Sequence, residues 1–418
     1  MTSDHSRGDP LDIDARLRLA GLPPLTRPMW LEIDVPALAG NLAAIRRQVA
    51  TGTAVWPVVK ADGYGHGLEV AARAFLAAGA DGVCVATLDE AVALRAAGID
   101  GGVLILYPVP AETADEAASR GFQLVVSTVD GARELADRWV GSGAAARGIR
   151  LRVHVEIETG LTRMGVRPTE TAAVMARLAV PGLAVTGVWS HLSTPEDPVA
   201  SAVQEQCLAD AEHVASGDGA DPRASHLAAT GGLLTGRGLA QAMIRPGLIA
   251  YGVLPTTDPP PFPGLRPAMR LKARAMRMMT VPAGTPVGYG GTWVAARESR
   301  IATLPVGYGD GYTRSLSGAP VLLRGSRVPV VGAVAMDALM VDVTDVPDVG
   351  PADEFVLLGP QGKVAITALE LARWRTTIPW EVLTSMARRT TRVYDAGVGL
   401  LGVRTLAGET LVRDVPWS

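Results

Sequence analysis

Lys60 is one of only three lysines in this chain of 418 residues, with Lys272 and Lys363, although lysine and arginine together number 39. An arginine guanidinium keeps its proton, whereas an ε-amine can lose one, attack a carbonyl carbon and become a Schiff base. The neighbours of Lys60 suit that chemistry. Residues 56–60, Trp-Pro-Val-Val-Lys, predict a short buried strand, and Ala-Asp-Gly-Tyr-Gly-His-Gly follows at 61–67. A lysine that ends an apolar strand before a glycine-rich turn stands at the mouth of a site, with its backbone fixed in a core.

The elements that must hold such a lysine are written in the hydrophobic pattern. From Trp30 to about Tyr251, short apolar runs alternate with Ala- and Arg-rich amphipathic stretches, as in strand-helix repeats. The runs 54–59, 82–86, 102–106, 122–126, 150–157, 184–190, 224–228 and 242–245 predict strands. Eight of them favour a (β/α)8 barrel over a doubly wound sheet, and the stretches 67–78 and 88–97 carry apolar residues at helical spacing. The barrel is expected over 29–254. Residues 255–267 include Asp-Pro-Pro-Pro-Phe-Pro-Gly at 258–264, too much proline for a helix or a central strand, and predict a linker. Beyond it, β-branched runs at 300–304, 321–334, 339–343 and 354–358 predict a β-rich domain over 268–418. Residues 1–28 read as an extension with one short helix and no assigned chemistry.

Composition narrows the partners. An apolar content of 48% supports a large core, and a net charge of -3 offers no attraction for nucleic acid or an anionic membrane. Cys84 and Cys207 lack metal-ligand spacing and fit a reducing cytoplasm. The first ten residues have no apolar signal region, and no apolar run approaches the ~20 residues of a membrane span. The expectation is a cytoplasmic protein that handles a small soluble ligand without a metal.

The segment VVKADGYGHG at 58–67 resembles the cofactor-lysine motif of the alanine racemase family, which binds pyridoxal 5'-phosphate (PLP) on a barrel of this kind. The resemblance continues in order through TGLTRMGV at 159–166, HLST at 191–194, IRPGLIAYG at 244–252, GYGGTW at 288–293, LPVGYGDGY at 304–312, GAVAMD at 332–337 and TIPWEVL at 377–383. Carried over by position, it implies that Lys60 holds PLP as a Schiff base and that Tyr289 is a second acid/base. Inverting a Cα needs a proton taken from one face and another delivered to the opposite face, so two groups are required. The resemblance further implies a head-to-tail homodimer in which Tyr289 reaches the partner's site, with His191 and Arg245 easing loss of the phenol proton. Arg245 would also donate to the pyridine nitrogen and, because guanidinium keeps its proton, leave that nitrogen unprotonated. A weaker electron sink favours reprotonation at Cα over transamination. Related barrel decarboxylases carry Glu-Pro-Gly where this chain reads Arg245-Pro246-Gly247, which argues against decarboxylation. Tyr64, Thr230 and the backbone N–H groups of Gly247 and Leu248 would bind the phosphate. Arg163 and the Met336 N–H would bind the substrate carboxylate, with Asp337 positioning that loop.

The chain departs from the family at the pocket. Glu156 stands where many members have a lysine, often carbamylated, seven residues before Arg163. Glutamate carries the negative charge unmodified on a shorter side chain. Trp380 replaces a tyrosine that binds the phosphate and narrows the entrance, offering one indole N–H in place of the hydroxyl. Ala228-Ala229-Thr230 and Ala335-Met336-Asp337-Ala338 replace Ala-Asn-Ser and Cys-Met-Asp-Gln. These changes leave Lys60 and Tyr289 intact and point to an altered substrate range. The expected function is a PLP-dependent racemase of alanine or another small neutral amino acid. The rivals are a retro-aldol or transaldol reaction on a β-hydroxy amino acid, and a non-catalytic PLP-binding protein.

Overall fold

The computed structural model describes residues 12–217, 224–256 and 262–412. The chain divides into two compact units, residues 37–266 and residues 1–36 together with 267–418.

The first unit is a closed parallel barrel. Val83–Val85, Val103–Ile105, Phe122–Val126, Leu151–Glu156 and Leu183–Trp189 form one five-stranded sheet in that order. Ala54–Val55 pairs in parallel with Met243–Ile244. Isolated bridges close the ring: Val58 with Cys84, Trp189 with His226, and His226 with Met243. The strands read as continuous apolar runs because barrel and helices cover both their faces. Helices Leu68–Ala77 and Leu88–Ala96 lie where apolar spacing predicts them. The expected strand 224–228 is reduced to the single residue His226, which bridges both neighbouring segments. One end of the barrel packs Trp56 directly against backbone: a Cβ on Gly82 or Gly102 would approach the indole to 2.6 or 2.7 Å.

The second unit is β-rich, as expected. A twelve-stranded sheet runs through it, with Met269–Arg274 antiparallel to both Met29–Asp34 and Glu354–Gln361. Met29–Asp34 also pairs in parallel with Arg392–Asp395. This corrects the expected start of the barrel at residue 29, because the strand belongs to the other unit. An apolar hexamer reads alike in any buried sheet, and only its partners, far along the chain, decide where it goes. Helix Ile13–Leu19, capped by Asp12, packs Ile13 and Leu17 against Trp30, Val393, Leu400 and Val403. The division between the units falls at residues 266 and 267, inside the expected linker, of which residues 257–261 lie outside the described part. Among the described residues no helix is long and apolar enough to cross a membrane.

Candidate active site

The barrel strands place polar side chains at their C-terminal ends, the face on which barrel sites are built. Lys60 follows the first strand, Tyr107 the third, Ser127 the fourth, Glu156 ends the fifth, and Arg245 follows the last. Lys60 opens a left-handed turn in which Ala61, Asp62, Gly63 and Tyr64 have φ of 53, 58, 61 and 51°. Only Gly63 adopts this conformation without penalty; each of the others costs ~1–2 kcal/mol. Hydrogen bonds from Gly63 N–H to Val59 O and from Gly67 N–H to Asp62 O, both 2.8 Å, offset part of that strain. So does the bond from Leu68 N–H to Asp62 Oδ1 at 3.0 Å.

Burial, and after it the Arg163 guanidinium, holds the Lys60 amine below its usual pKa. The free, nucleophilic form is therefore closer to neutral pH than in water. Both cations face one ring, with Lys60 Nζ at 5.9 Å and Arg163 Cζ at 5.5 Å from the Tyr107 centroid. Arg163 also pairs with buried Glu156 at 3.8 Å. That spacing exceeds a hydrogen bond, so the shorter glutamate keeps the charge pairing without the close contact. Ser127 donates to the other carboxylate oxygen at 2.7 Å, and burial pushes the Glu156 pKa up.

Arg245 is 2% exposed. It donates to the Ser190 and Leu227 carbonyls at 3.0 and 3.3 Å and to His191 Nδ1 at 3.3 Å, and lies 4.7 Å over the Trp189 ring. Burial lowers it to about 10, which leaves it charged at neutral pH. Its Nη1 donates to His226 Nδ1. Because a guanidinium can only donate, His226 must carry its hydrogen on Nε2 and pass it to His154 Nδ1 at 3.0 Å. His154 in turn donates from Nε2 to Gln123 Oε1 at 2.8 Å. Burial and then Arg245 hold His154 at about 3, and the same two causes hold His226 well below its usual value. His191 is held at about 3 by burial, Arg245, Arg163 and Lys60. The result is one charged arginine oriented by a chain of neutral imidazoles in a fixed tautomer.

The proposed phosphate residues meet at Gly247, where a Cβ would lie 2.7 Å from Tyr64 Oη and 3.7 Å from Thr230 Oγ1. Thr230 Oγ1 accepts from the N–H groups of Gly247 and Ile249 at 3.3 Å each. The Leu248 N–H and the Tyr64 hydroxyl have no partner among the described residues. Two hydroxyls and a free backbone donor around a glycine-lined space suit a phosphate, so these residues fit PLP.

Tyr289, Met336, Asp337 and Trp380 belong to the other unit. Tyr289 sits in a tight turn behind Gly288, whose φ is 76°, and is 73% exposed. Met336, 52% exposed, has its carbonyl held by Gly309 N–H at 2.9 Å and by Arg389 at 3.3 Å. Arg389 also donates to Asp337 at 2.6 Å and to buried Asp310 at 2.8 Å. Trp380 is half-buried on helix Pro379–Thr384. The remaining lysines serve other ends: Lys272 pairs with Glu32 at 3.1 Å and Glu354 at 3.4 Å, and Lys363 is exposed in a turn.

Sequence reasoning missed Tyr107, Gln123, His154, His226 and Arg389. Gln123, His154 and His226 did carry a signal, as polar residues inside otherwise apolar strand runs; Tyr107 and Arg389 carried none.

Residues 33–255 match the alanine racemase N-terminal domain and residues 268–394 the alanine racemase C-terminal domain. The chain is 39% identical over 372 residues to an alanine racemase of Desulfovibrio desulfuricans, covering 88% of this chain and 98% of that protein. It is also 39% identical over 377 residues to one of Thermobifida fusca, with the same coverage. Among solved structures, the alanine racemase of Bacillus anthracis with bound L-Ala-P superposes with a TM-score of 0.85 at 30% identity, over 92% of this chain and 99% of that one. A histidine racemase from Leuconostoc mesenteroides superposes with a TM-score of 0.80 at 26% identity, over 88% of this chain and 98% of that one. With both domains matched and the barrel carrying a set of residues that fits PLP, the chain belongs to the alanine racemase family of PLP-dependent amino-acid racemases.

Proposed function

We propose that this protein interconverts the L and D forms of alanine, or of another small neutral amino acid, by a two-base mechanism. The observation that carries the reading is Arg245, buried, charged at neutral pH and fixed by neutral histidines at the core of the site. When bound, PLP supplies an electron sink for the pair released from the substrate Cα–H bond. Tyr64, Thr230 and the N–H groups of Gly247 and Leu248 would hold its phosphate, with Arg245 at the ring nitrogen and Trp380 bordering the entrance. A guanidinium that keeps its proton would leave the ring nitrogen unprotonated, which favours return of the proton to Cα.

Lys60 carries the cofactor and, as a free amine, moves the proton on one face of Cα. Its depressed basicity suits a group that must both take and give a proton near neutral pH. Tyr289 serves the opposite face from a second copy of the chain. Its 73% exposure and a hydroxyl without a partner among the described residues support that role. Arg163, charge-paired with Glu156, binds the substrate carboxylate together with the Met336 N–H. Asp337, gripped by Arg389, keeps the Met336 loop in place. The histidine racemase among the structural neighbours carries a different substrate class on the same fold.

The test is incubation with each L-amino acid in deuterated water, followed by chirality and Cα-label analysis. Alanine should racemise with label incorporation and no loss of mass. In Tyr289→Phe, PLP stays bound and exchange persists for one enantiomer far better than for the other. Aldol cleavage products, or an equal loss of exchange in both directions, would overturn the two-base reading.

A further inference from the structure

We propose that Glu90 is a positioning residue for Lys60, clamping the left-handed turn on which the cofactor lysine stands. The proposal rests on the reading that Lys60 carries PLP. Glu90 lies in the first turn of helix Leu88–Ala96, where Thr87 and Glu90 form a capping box. Such a box needs one carboxylate oxygen, bonded to the backbone N–H at the head of the helix. Here Glu90 Oε2 does that work, accepting from Thr87 N–H at 3.3 Å and from Ala86 N–H at 2.8 Å. Oε1 is left over, and it leaves the helix to accept from the N–H of Ala61 at 2.6 Å.

That bond is placed where it matters. Ala61 is the first residue of the left-handed run and directly follows Lys60. Its Cβ makes the conformation unfavourable, so without a partner for the N–H the peptide would relax toward negative φ and rotate Lys60 with it. A charged acceptor makes a stronger bond than a neutral one, and an acceptor on a helix is fixed relative to the barrel strand before it. The clamp thus ties the Lys60 peptide to the end of the neighbouring strand, Val83–Val85.

The experiment compares Glu90→Gln, Thr87→Ala and the double variant Glu90→Gln with Ala61→Gly. In the cofactor-free protein, hydrogen exchange at the Ala61 amide should speed up about tenfold or more in Glu90→Gln, as expected when a charged two-oxygen acceptor becomes a neutral amide with one oxygen to share between the helix cap and Ala61. When PLP is then added, the rate of borohydride-reducible attachment at Lys60 should fall. Thr87→Ala removes the other half of the capping box and leaves the clamp, so it should lower thermal stability without slowing attachment. Glycine at 61 takes positive φ freely, so the double variant should recover attachment although the Glu90 charge is still missing. Should Glu90→Gln not fold, Glu90→Asp, one methylene too short to reach, is compared in the same way.

Unchanged Ala61 exchange in Glu90→Gln overturns the proposal. So does slowing of attachment by Thr87→Ala as large as that by Glu90→Gln, which would make Glu90 an ordinary cap, and so does failure of Ala61→Gly to rescue. A wild-type protein that protects Ala61 in a Glu90-dependent way but fixes no cofactor at Lys60 would instead refute the cofactor reading of Lys60.

Discussion

Lys60 differs from the two other lysines in what surrounds its amine. Lys272 is neutralised by Glu32 and Glu354 within a sheet, and Lys363 faces solvent in a turn. Lys60 is instead depressed by burial and by Arg163, which favours the unprotonated amine that attacks a carbonyl. Lys60→Ala, and equally Lys60→Arg, should abolish reducible covalent attachment of PLP; recovery of the label at Lys272 or Lys363 would refute the assignment. Trp380 allows a second prediction at this scale. Trp380→Tyr introduces a hydroxyl and trims volume, so PLP affinity should hold or rise while preference shifts toward alanine over larger amino acids. One reshaped apolar contact is worth ~1–3 kcal/mol in discrimination. Relative rates on alanine, serine and larger neutral amino acids, with PLP dissociation, measure it; an unchanged ranking and affinity would place Trp380 outside the site.

At the scale of elements, short strands hold the site because one end of the barrel is packed without slack. Trp56 lies against Gly82 and Gly102, where any Cβ would enter the indole. Gly102→Ala should therefore cost ~1–3 kcal/mol through overpacking, read as a lower thermal midpoint with a shifted tryptophan emission. A midpoint equal to that of the parent would show that Trp56 can move aside. The loops at the opposite end are held by hydrogen bonds. In the second unit, Asp310 fixes Arg389, and Arg389 grips both the Met336 carbonyl and the Asp337 carboxylate. Backbone approach there is equally tight: a Cβ on Gly307 would come to 2.3 Å from the Ala335 carbonyl oxygen. The loop that carries the Met336 N–H is thus fixed from both sides.

For the whole molecule, the buried histidines link the site to stability. His154 and His191 are held near 3 and His226 well below its usual value, so the folded state keeps them neutral, while the unfolded chain takes up protons near the ordinary histidine value of 6.5. The unfolded state then binds more protons on acidification. Their contribution is complete above 6.5 and is lost as pH falls from there toward about 3, by at most ~1.4 kcal/mol per pH unit for each histidine. The thermal midpoint of the cofactor-free protein should fall between about pH 6.5 and pH 5, and His154→Gln should flatten that slope by one histidine's share. A slope unaltered in His154→Gln would mean that His154 does not titrate on unfolding. What the sequence by itself determined was local: the order of strands and helices, the Lys60 turn, the β-rich second half and the presence of one short helix within residues 1–28. These are written in residues close together, as periodicity, glycine placement and contiguous motifs. What only the tertiary structure decided was partnership. Residues 29–34 look like any apolar strand until their neighbours at 269–274 and 392–395 are known. The run 224–228 shrinks to His226, which closes the barrel by bridging both Trp189 and Met243. The chain from Arg245 through His226 and His154 to Gln123 joins residues up to 122 positions apart, from 245 to 123. A polar residue in an apolar strand announces that it needs a hydrogen bond, and only closure of the barrel supplies the partner.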